Sequence, residues 1–397
     1  MSTKTIELSS CEFAVLRHKP INLIDSFLVC IYNLGMDYQI MHKNRIVAEI
    51  REDGFCNIHS EAFMPCNLWL EEDDSLDSRV GNLTNLYYWC ASRVLTLDRA
   101  FAKEILNSLG QNQAVTDRER AAIAVSCHAL TLTDVFWVKS KEENITFDEI
   151  NLFDHSLSIA FVDVSLRGKS LTAQNAELLD LRDAAGDVST QGVAPTAWVR
   201  RNGIFYLLKN GSTTDVEAEL LASKIADCFK CDHIEYTPDE YDGIPVSSSR
   251  IITSKDRSMV PMEHIEIYAA NQDTSALDIV LEKDAYSYHM MNIIDYLVGN
   301  TDRHWGNWGF LVDNNTNQLL RLHPLMDFNK AFTSYDDLDG AVCQTIPASQ
   351  GRVSQKDAAV DAVQSIGLNM VESPQREWFF SDKAWEMFCQ RLEALNI

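Results

Sequence analysis

No apolar run in this chain approaches the ~20 residues that a membrane-spanning helix needs. Met1 to Ser10 lacks a charged stretch followed by an apolar one, so no secretory signal is expected. Positive charge is scarce: 34 Lys and Arg stand against 58 Asp and Glu in 397 residues, a formal net charge of -24. Such a surface repels nucleic-acid phosphates and anionic membranes, though a small basic pocket could still bind one phosphate. The ten cysteines lack framework spacing, which points to reduced thiols in a cytoplasmic protein. Cys228 and Cys231 form a lone C-x-x-C with no second pair and no flanking histidines, against a zinc or redox site. Repeats and low-complexity tracts are also missing. What remains is an ordinary globular composition, long enough for two or three domains.

Residues 1–186 read as a separate N-terminal accessory domain of α/β type. It offers strand-like runs at Leu23 to Tyr32 and Tyr38 to Ile50, then an acidic patch from Glu71 to Asp74. A helical stretch from Asn85 to Leu109 follows, closed by Gly110. Tyr87, Tyr88 and Trp89 within it read as core. The sequence turns polar and small from Asp183 to Thr190, the expected domain boundary. Beyond it, Thr196 to Arg201 and Ile204 to Lys209 flank Asn202-Gly203, the signature of a tight β-hairpin. Thr214 to Glu217 reads as a capping box opening a helix through Val216, Leu220, Leu221, Ile225 and Phe229. Ser275 to Asp278 reads as a second, opening a longer helix that ends at Gly299-Asn300. Another hairpin is expected from Trp308 to Leu322, closed by the polar turn Asp313 to Asn317.

Between that helix and that hairpin lies Gly299-Asn300-Thr301-Asp302-Arg303-His304-Trp305-Gly306-Asn307. It sets a carboxylate and a carboxamide five residues apart, and a second carboxylate, Asp327, follows the hairpin. Transfer of a γ-phosphoryl group uses these types: one Asp for the attacking hydroxyl, an Asn and an Asp for Mg²⁺. The five-residue offset equals that of the protein-kinase catalytic loop. Upstream, Lys209 ends a strand and is followed by Glu217 and Glu219 on a helix. A strand lysine paired with a helix glutamate positions the α- and β-phosphates in kinase folds, and periodicity alone does not choose between the two glutamates. Ser189-Thr190-Gln191-Gly192 is a small turn able to cover phosphates with backbone N–H groups. Singly, each of these residues also suits a plain turn, cap or strand end. His304 reads as a locally hydrogen-bonded loop histidine rather than a metal ligand.

The segment Asp295 to Asn307 resembles the G-N-x-D-x-H-x-x-N loop of the HipA-like kinases, bacterial serine/threonine kinases distantly related to phosphoinositide kinases. The resemblance spans roughly Asp187 to Phe332 and is specific only around Asp302. It implies an α+β bilobal protein-kinase-like fold over 187–397, with a mainly β lobe at 187–255 and a mainly helical lobe at 256–397. It further implies Asp302 as catalytic base, Asn307 and Asp327 as magnesium ligands, and Glu219 as the partner of Lys209. Ser189, Thr190, Gln191 and Gly192 would cover the ATP phosphates, with Ser189 or Thr190 as an autophosphorylation site. Thr253, Ser254 and Lys255 would lie in the adenine hinge. Two departures stand out: Ala194-Pro195-Thr196 lacks the lysine usual in that loop, and Asn329 replaces the glycine of a D-F-G motif. The implied activity is ATP- and Mg²⁺-dependent phosphotransfer to a protein Ser/Thr hydroxyl, with a protein substrate and an antitoxin-like regulatory partner. Direct nucleic-acid or membrane binding is not expected. The alternatives are a phosphoinositide-type lipid kinase, which the acidity disfavours, and a pseudokinase acting as a nucleotide-dependent binding module.

Overall fold

The computed structural model describes residues 37–108, 116–155, 157, 159–169, 186, 188–189, 193–333 and 337–396. Leu23 to Tyr32, most of the boundary segment, Gly110, Thr190, Gln191 and Gly192 lie outside them.

The N-terminal region is built on an antiparallel sheet of order β3-β2-β1-β4, from β1 (Tyr38–His42), β2 (Arg45–Ile50), β3 (Cys56–Ile58) and β4 (Phe136–Ser140). The run Tyr38 to Ile50 is thus a hairpin rather than one strand. Helices α1 (Leu76–Ala91), α2 (Ala102–Ser108) and α3 (Asp117–Ser126) share a core with the sheet through Ile40, Val47, Trp89, Ile105 and Ile123. The single helix expected over Asn85 to Leu109 is broken. Arg93 turns inward, where its guanidinium meets the Asp134 carboxylate at 2.7 and 2.8 Å and the Ala129 carbonyl at 2.7 Å. A buried ion left unpaired is far costlier than a helix interruption. Two short helices follow, α4 (Phe147–Ile150) and α5 (Ile159–Arg167).

The next sheet has the order β5-β6-β8-β7, from β5 (Thr196–Arg201), β6 (Ile204–Lys209), β7 (Tyr236–Tyr241) and β8 (Ile244–Arg250), all antiparallel. Asn202 and Gly203 both take positive φ, +52° and +80°, the backbone that a two-residue I′ turn demands. Helix α6 (Thr213–Ala226) connects β6 to β7. Its capping box is Ser212 with Asp215, two residues before the expected Thr214–Glu217 pair. The chain is already free to turn at Asn210-Gly211, and Ser-x-x-Asp satisfies the same orphan N–H groups. Val162 and Leu166 of α5 pack with Ala197, Leu208 and Val246 of this sheet. Phe205, with Trp198 and Ile251, joins a cluster with Met41, Leu132, Trp137 and Phe147 of the N-terminal region. The small β lobe is therefore packed against the accessory domain.

The larger lobe carries a three-stranded sheet, β11-β10-β9, from β9 (Arg257–Pro261), β10 (Gly309–Asp313) and β11 (Gln318–Leu322). Its helices are α7 (Met262–Asn271), α8 (Ala276–Val298), α9 (Gln355–Ile366) and α10 (Asp382–Leu395). Strands β9 and β10 approach so closely that a Cβ on Gly309 would stand 2.0 Å from the Val260 carbonyl oxygen. The long helix α8 is interrupted at Asp284, whose carboxylate accepts from Ser287 N at 3.1 Å and from Leu322 N at 3.1 Å. Ser275 is its N-cap residue but makes no side-chain cap bond, so the second expected capping box is absent. Beyond Asp284 the helix is almost wholly buried, from Tyr288 to Val298. It stops at Gly299, which takes φ +64°, and a Cβ there would meet Arg391 Nη1 at 3.0 Å. No helix among the described residues is long and apolar enough to cross a membrane.

Candidate active site

The last turn of α8 sets the site. Asp295 is buried in an otherwise apolar run, and a lone carboxylate there needs a cation. Arg303 supplies it: Nε and Nη2 reach the two Asp295 oxygens at 2.8 and 2.9 Å, a bidentate pair with both side chains nearly solvent-free. The same guanidinium donates through Nη1 to the Asn307 carbonyl at 3.0 Å and to the Met326 carbonyl. Asn300 completes the frame. Its Nδ2 donates to Asp295 Oδ1 at 3.0 Å and to the Asp327 carbonyl at 3.4 Å, while its Oδ1 accepts from Asp302 N at 3.3 Å. Asp302, Asn307 and Asp327 are thereby held through their backbones by one buried network. Gln355 of α9 ties Asn300 O from behind at 2.5 Å.

The loop that results leaves Asp302 half-exposed, while Asn307 is buried. Asn307 Nδ2 donates to the Asp302 carbonyl at 2.8 Å, which fixes the orientation of the amide. Its Oδ1 has no donor among the described residues. His304 is exposed, and its Nδ1 accepts from Gly306 N at 3.1 Å, the local role expected for it.

Lys209, at the end of β6, reaches Glu219 Oε1 at 2.9 Å and Asp327 Oδ1 at 2.5 Å. Of the two candidate glutamates, Glu219 makes the pair and Glu217 faces solvent. Glu219 is 1% exposed, and its second oxygen accepts from Ser247 Oγ on β8. Burial alone would lower the Lys209 pKa, but the Asp327 and Glu219 charges hold it well above the ordinary lysine value. For Asp327, burial would raise the carboxyl; the Lys209 ammonium, backed by Arg303, instead holds it below the usual carboxylate range.

The segments expected to cover a nucleotide are arranged differently. Ser189 is buried and its Oγ donates to Gly186 O at 3.1 Å. In the segment expected to be the hinge, Thr253 Oγ1 donates to the Leu132 carbonyl and Lys255 Nζ meets Asp154 Oδ2 at 2.8 Å. Ser254 and Arg257 exchange backbone bonds in a tight turn. The Thr253 and Lys255 side chains thus bind the accessory domain. Sequence reasoning assigned no role to Asp295, Asn300, Arg303 or Tyr236. A carboxylate inside Ile-Ile-Asp-Tyr-Leu-Val was a usable signal for the first, and nothing in the spacing marked Tyr236.

No family model matches the chain, and no curated protein does. Among solved structures, HipA of Shewanella oneidensis MR-1, in a toxin–antitoxin complex with HipB and operator DNA, superposes with a TM-score of 0.52. The match covers 90% of this chain and 96% of that one at 11% identity. The chain has the HipA-like kinase fold. A second structure, the Helicobacter pylori proinflammatory kinase CtkA, matches 51% of this chain and 87% of its own at 16% identity and a TM-score of 0.39. The superposition takes in part of the N-terminal region as well, since 90% coverage exceeds the share of the chain that follows residue 186.

Proposed function

We propose that this protein is an ATP- and Mg²⁺-dependent phosphotransferase acting on a serine or threonine hydroxyl of a protein. The observation that supports this most is the Lys209 ammonium, lodged between Glu219 and Asp327 beside the loop carrying Asp302 and Asn307. Asp302 would accept the proton of the attacking hydroxyl; the residue is half-exposed and open to an incoming side chain. Asn307 Oδ1 and the Asp327 carboxylate are hard oxygen donors of the kind Mg²⁺ takes, with the amide already oriented and the carboxylate kept ionised. Lys209, steadied by Glu219, would pair with the α- and β-phosphates. Bound Mg²⁺ would supply charge neutralisation between the phosphates. The reading carries a cytoplasmic location and a regulatory protein partner of the antitoxin type, as HipB is to HipA in the complex above.

Incubation with labelled Mg·ATP, alone and with candidate proteins, followed by mapping of the label, tests it. Label on a Ser or Thr that is lost in Asp302→Asn is the expected result, and in autophosphorylation it should fall at Ser189 or Thr190. Turnover on lipid but not protein would replace the substrate class, and absence of any transfer by folded wild-type protein would overturn the enzyme reading.

A further inference from the structure

Asp327 takes φ +60°, the left-handed region that non-glycine residues rarely occupy. Such a backbone is disfavoured for a residue with a Cβ and persists where neighbours over-determine it. Three contacts do so here. Lys209 holds the carboxylate, Asn300 Nδ2 holds the carbonyl at 3.4 Å, and Tyr236 Oη accepts from Asp327 N at 3.1 Å. Tyr236 opens β7, and its approach is built by the chain just before it. Ile234 N donates to Leu325 O, and Leu325 N donates to Asp232 O, both at 2.8 Å, so 232–236 runs beside 325–327. The Tyr236 N–H is in turn held by Ser223 Oγ of α6 at 3.1 Å.

These contacts are not equivalent once nucleotide binds. Resting on the function proposed above, Lys209 must turn toward the phosphates, and its 2.5 Å contact with Asp327 cannot then serve unchanged. The two backbone contacts remain. We propose that Tyr236 is a positioning residue for the metal: its hydroxyl keeps Asp327 in the left-handed conformation that presents the carboxylate to Mg²⁺. It also makes that presentation depend on where the small lobe sits, because Tyr236 belongs to the small-lobe sheet.

The test is Tyr236→Phe, which deletes one oxygen and keeps the ring. Calorimetric binding of a non-hydrolysable ATP analogue is measured across a Mg²⁺ titration and without metal, beside the melting temperature of the metal-free protein. The Mg²⁺ concentration for half-maximal enhancement is expected to rise about tenfold, the order of one lost buried hydrogen bond. Metal-free nucleotide affinity should stay within about twofold, on the same reasoning that the phosphate contacts are untouched. A purely structural role would lower melting and metal-free affinity without moving the Mg²⁺ dependence, and that outcome overturns the proposal, as does a wild-type Mg²⁺ profile. Asp327→Asn is run in parallel. If it too leaves the Mg²⁺ dependence unchanged, the metal-site reading itself fails; if it abolishes that dependence while Tyr236→Phe is silent, only the positioning role fails.

Discussion

Two segments that a phosphotransferase would use, the 299–307 loop and the 252–257 segment expected to be its hinge, are held in opposite ways. The loop is braced by its own neighbours: Asp295, Asn300 and Arg303 sit within eight residues of one another and bond each other, while Asn300 and Arg303 hold the loop backbone from inside. The hinge is braced from outside, by Leu132 and Asp154, over a hundred residues away. In the loop, buried polar side chains hold the backbone so that Asp302 stays open. In the hinge, Thr253 and Lys255 are themselves consumed by bracing. Loop geometry should therefore survive changes in the accessory domain, whereas hinge geometry should not.

The largest expected effect comes from breaking the inner brace. Arg303→Met leaves Asp295 buried without a cation, and removing one partner of such a pair destabilises by about 3–5 kcal/mol. Denaturant unfolding measures it; a loss under about 1 kcal/mol, the size of an exposed ion pair, would show that the network does not hold the loop.

Next is Lys209→Met, which should weaken Mg·ATP binding and transfer in a protein that still folds. It should also change the acid response. In the wild type the folded Asp327 pKa lies below its unfolded value, so its contribution to stability is present above about pH 4 and is lost as pH falls toward the folded pKa. Lys209, raised in the fold, contributes below its unfolded value and loses that only in strong alkali, as pH rises through its folded pKa. Without the ammonium, the fall in stability below about pH 4 should flatten. An unchanged acid limb would mean that the ion pair contributes nothing to folding.

The smallest effect is expected at the hinge. Lys255 and Asp154 are each over 40% exposed on their side chains, at 44% and 42%. Lys255→Ala should cost no more than about 1 kcal/mol in stability, and it should leave nucleotide affinity nearly unchanged. A tenfold loss of ATP affinity, about 1.4 kcal/mol, would instead restore Lys255 to the nucleotide site.

How far the sequence foretold these regions follows the same division. Thr196–Arg201 and Ile204–Lys209 emerge with the expected boundaries because Asn-Gly settles the turn and the turn settles the register. The helix stop at Gly299 was equally local. Position along the chain also brought Asp302, Asn307 and Asp327 forward as candidates, but their bracing by Arg303 and Asn300 could not be read from spacing, since polar residues in a loop ordinarily face water. The capture of Thr253 by the Leu132 carbonyl and the inward turn of Arg93 depend on contacts between segments distant in sequence, which no local pattern encodes. Tyr236 belongs to the same class: its partner lies 91 residues away.

The proposed division of labour between Asp302 and Asp327 is tested most directly by one experiment. Nucleotide binding is measured by calorimetry with and without Mg²⁺, beside phosphotransfer, for wild type, Asp302→Asn and Asp327→Asn. Asp302→Asn is expected to lose several orders of magnitude in transfer, about 4–7 kcal/mol of barrier, with Mg·ATP binding largely kept. Asp327→Asn should lose transfer and the Mg²⁺-dependent part of binding together, because a neutral amide offsets none of the ion's charge. Folded forms of both variants that transfer phosphate at the wild-type rate would contradict these roles.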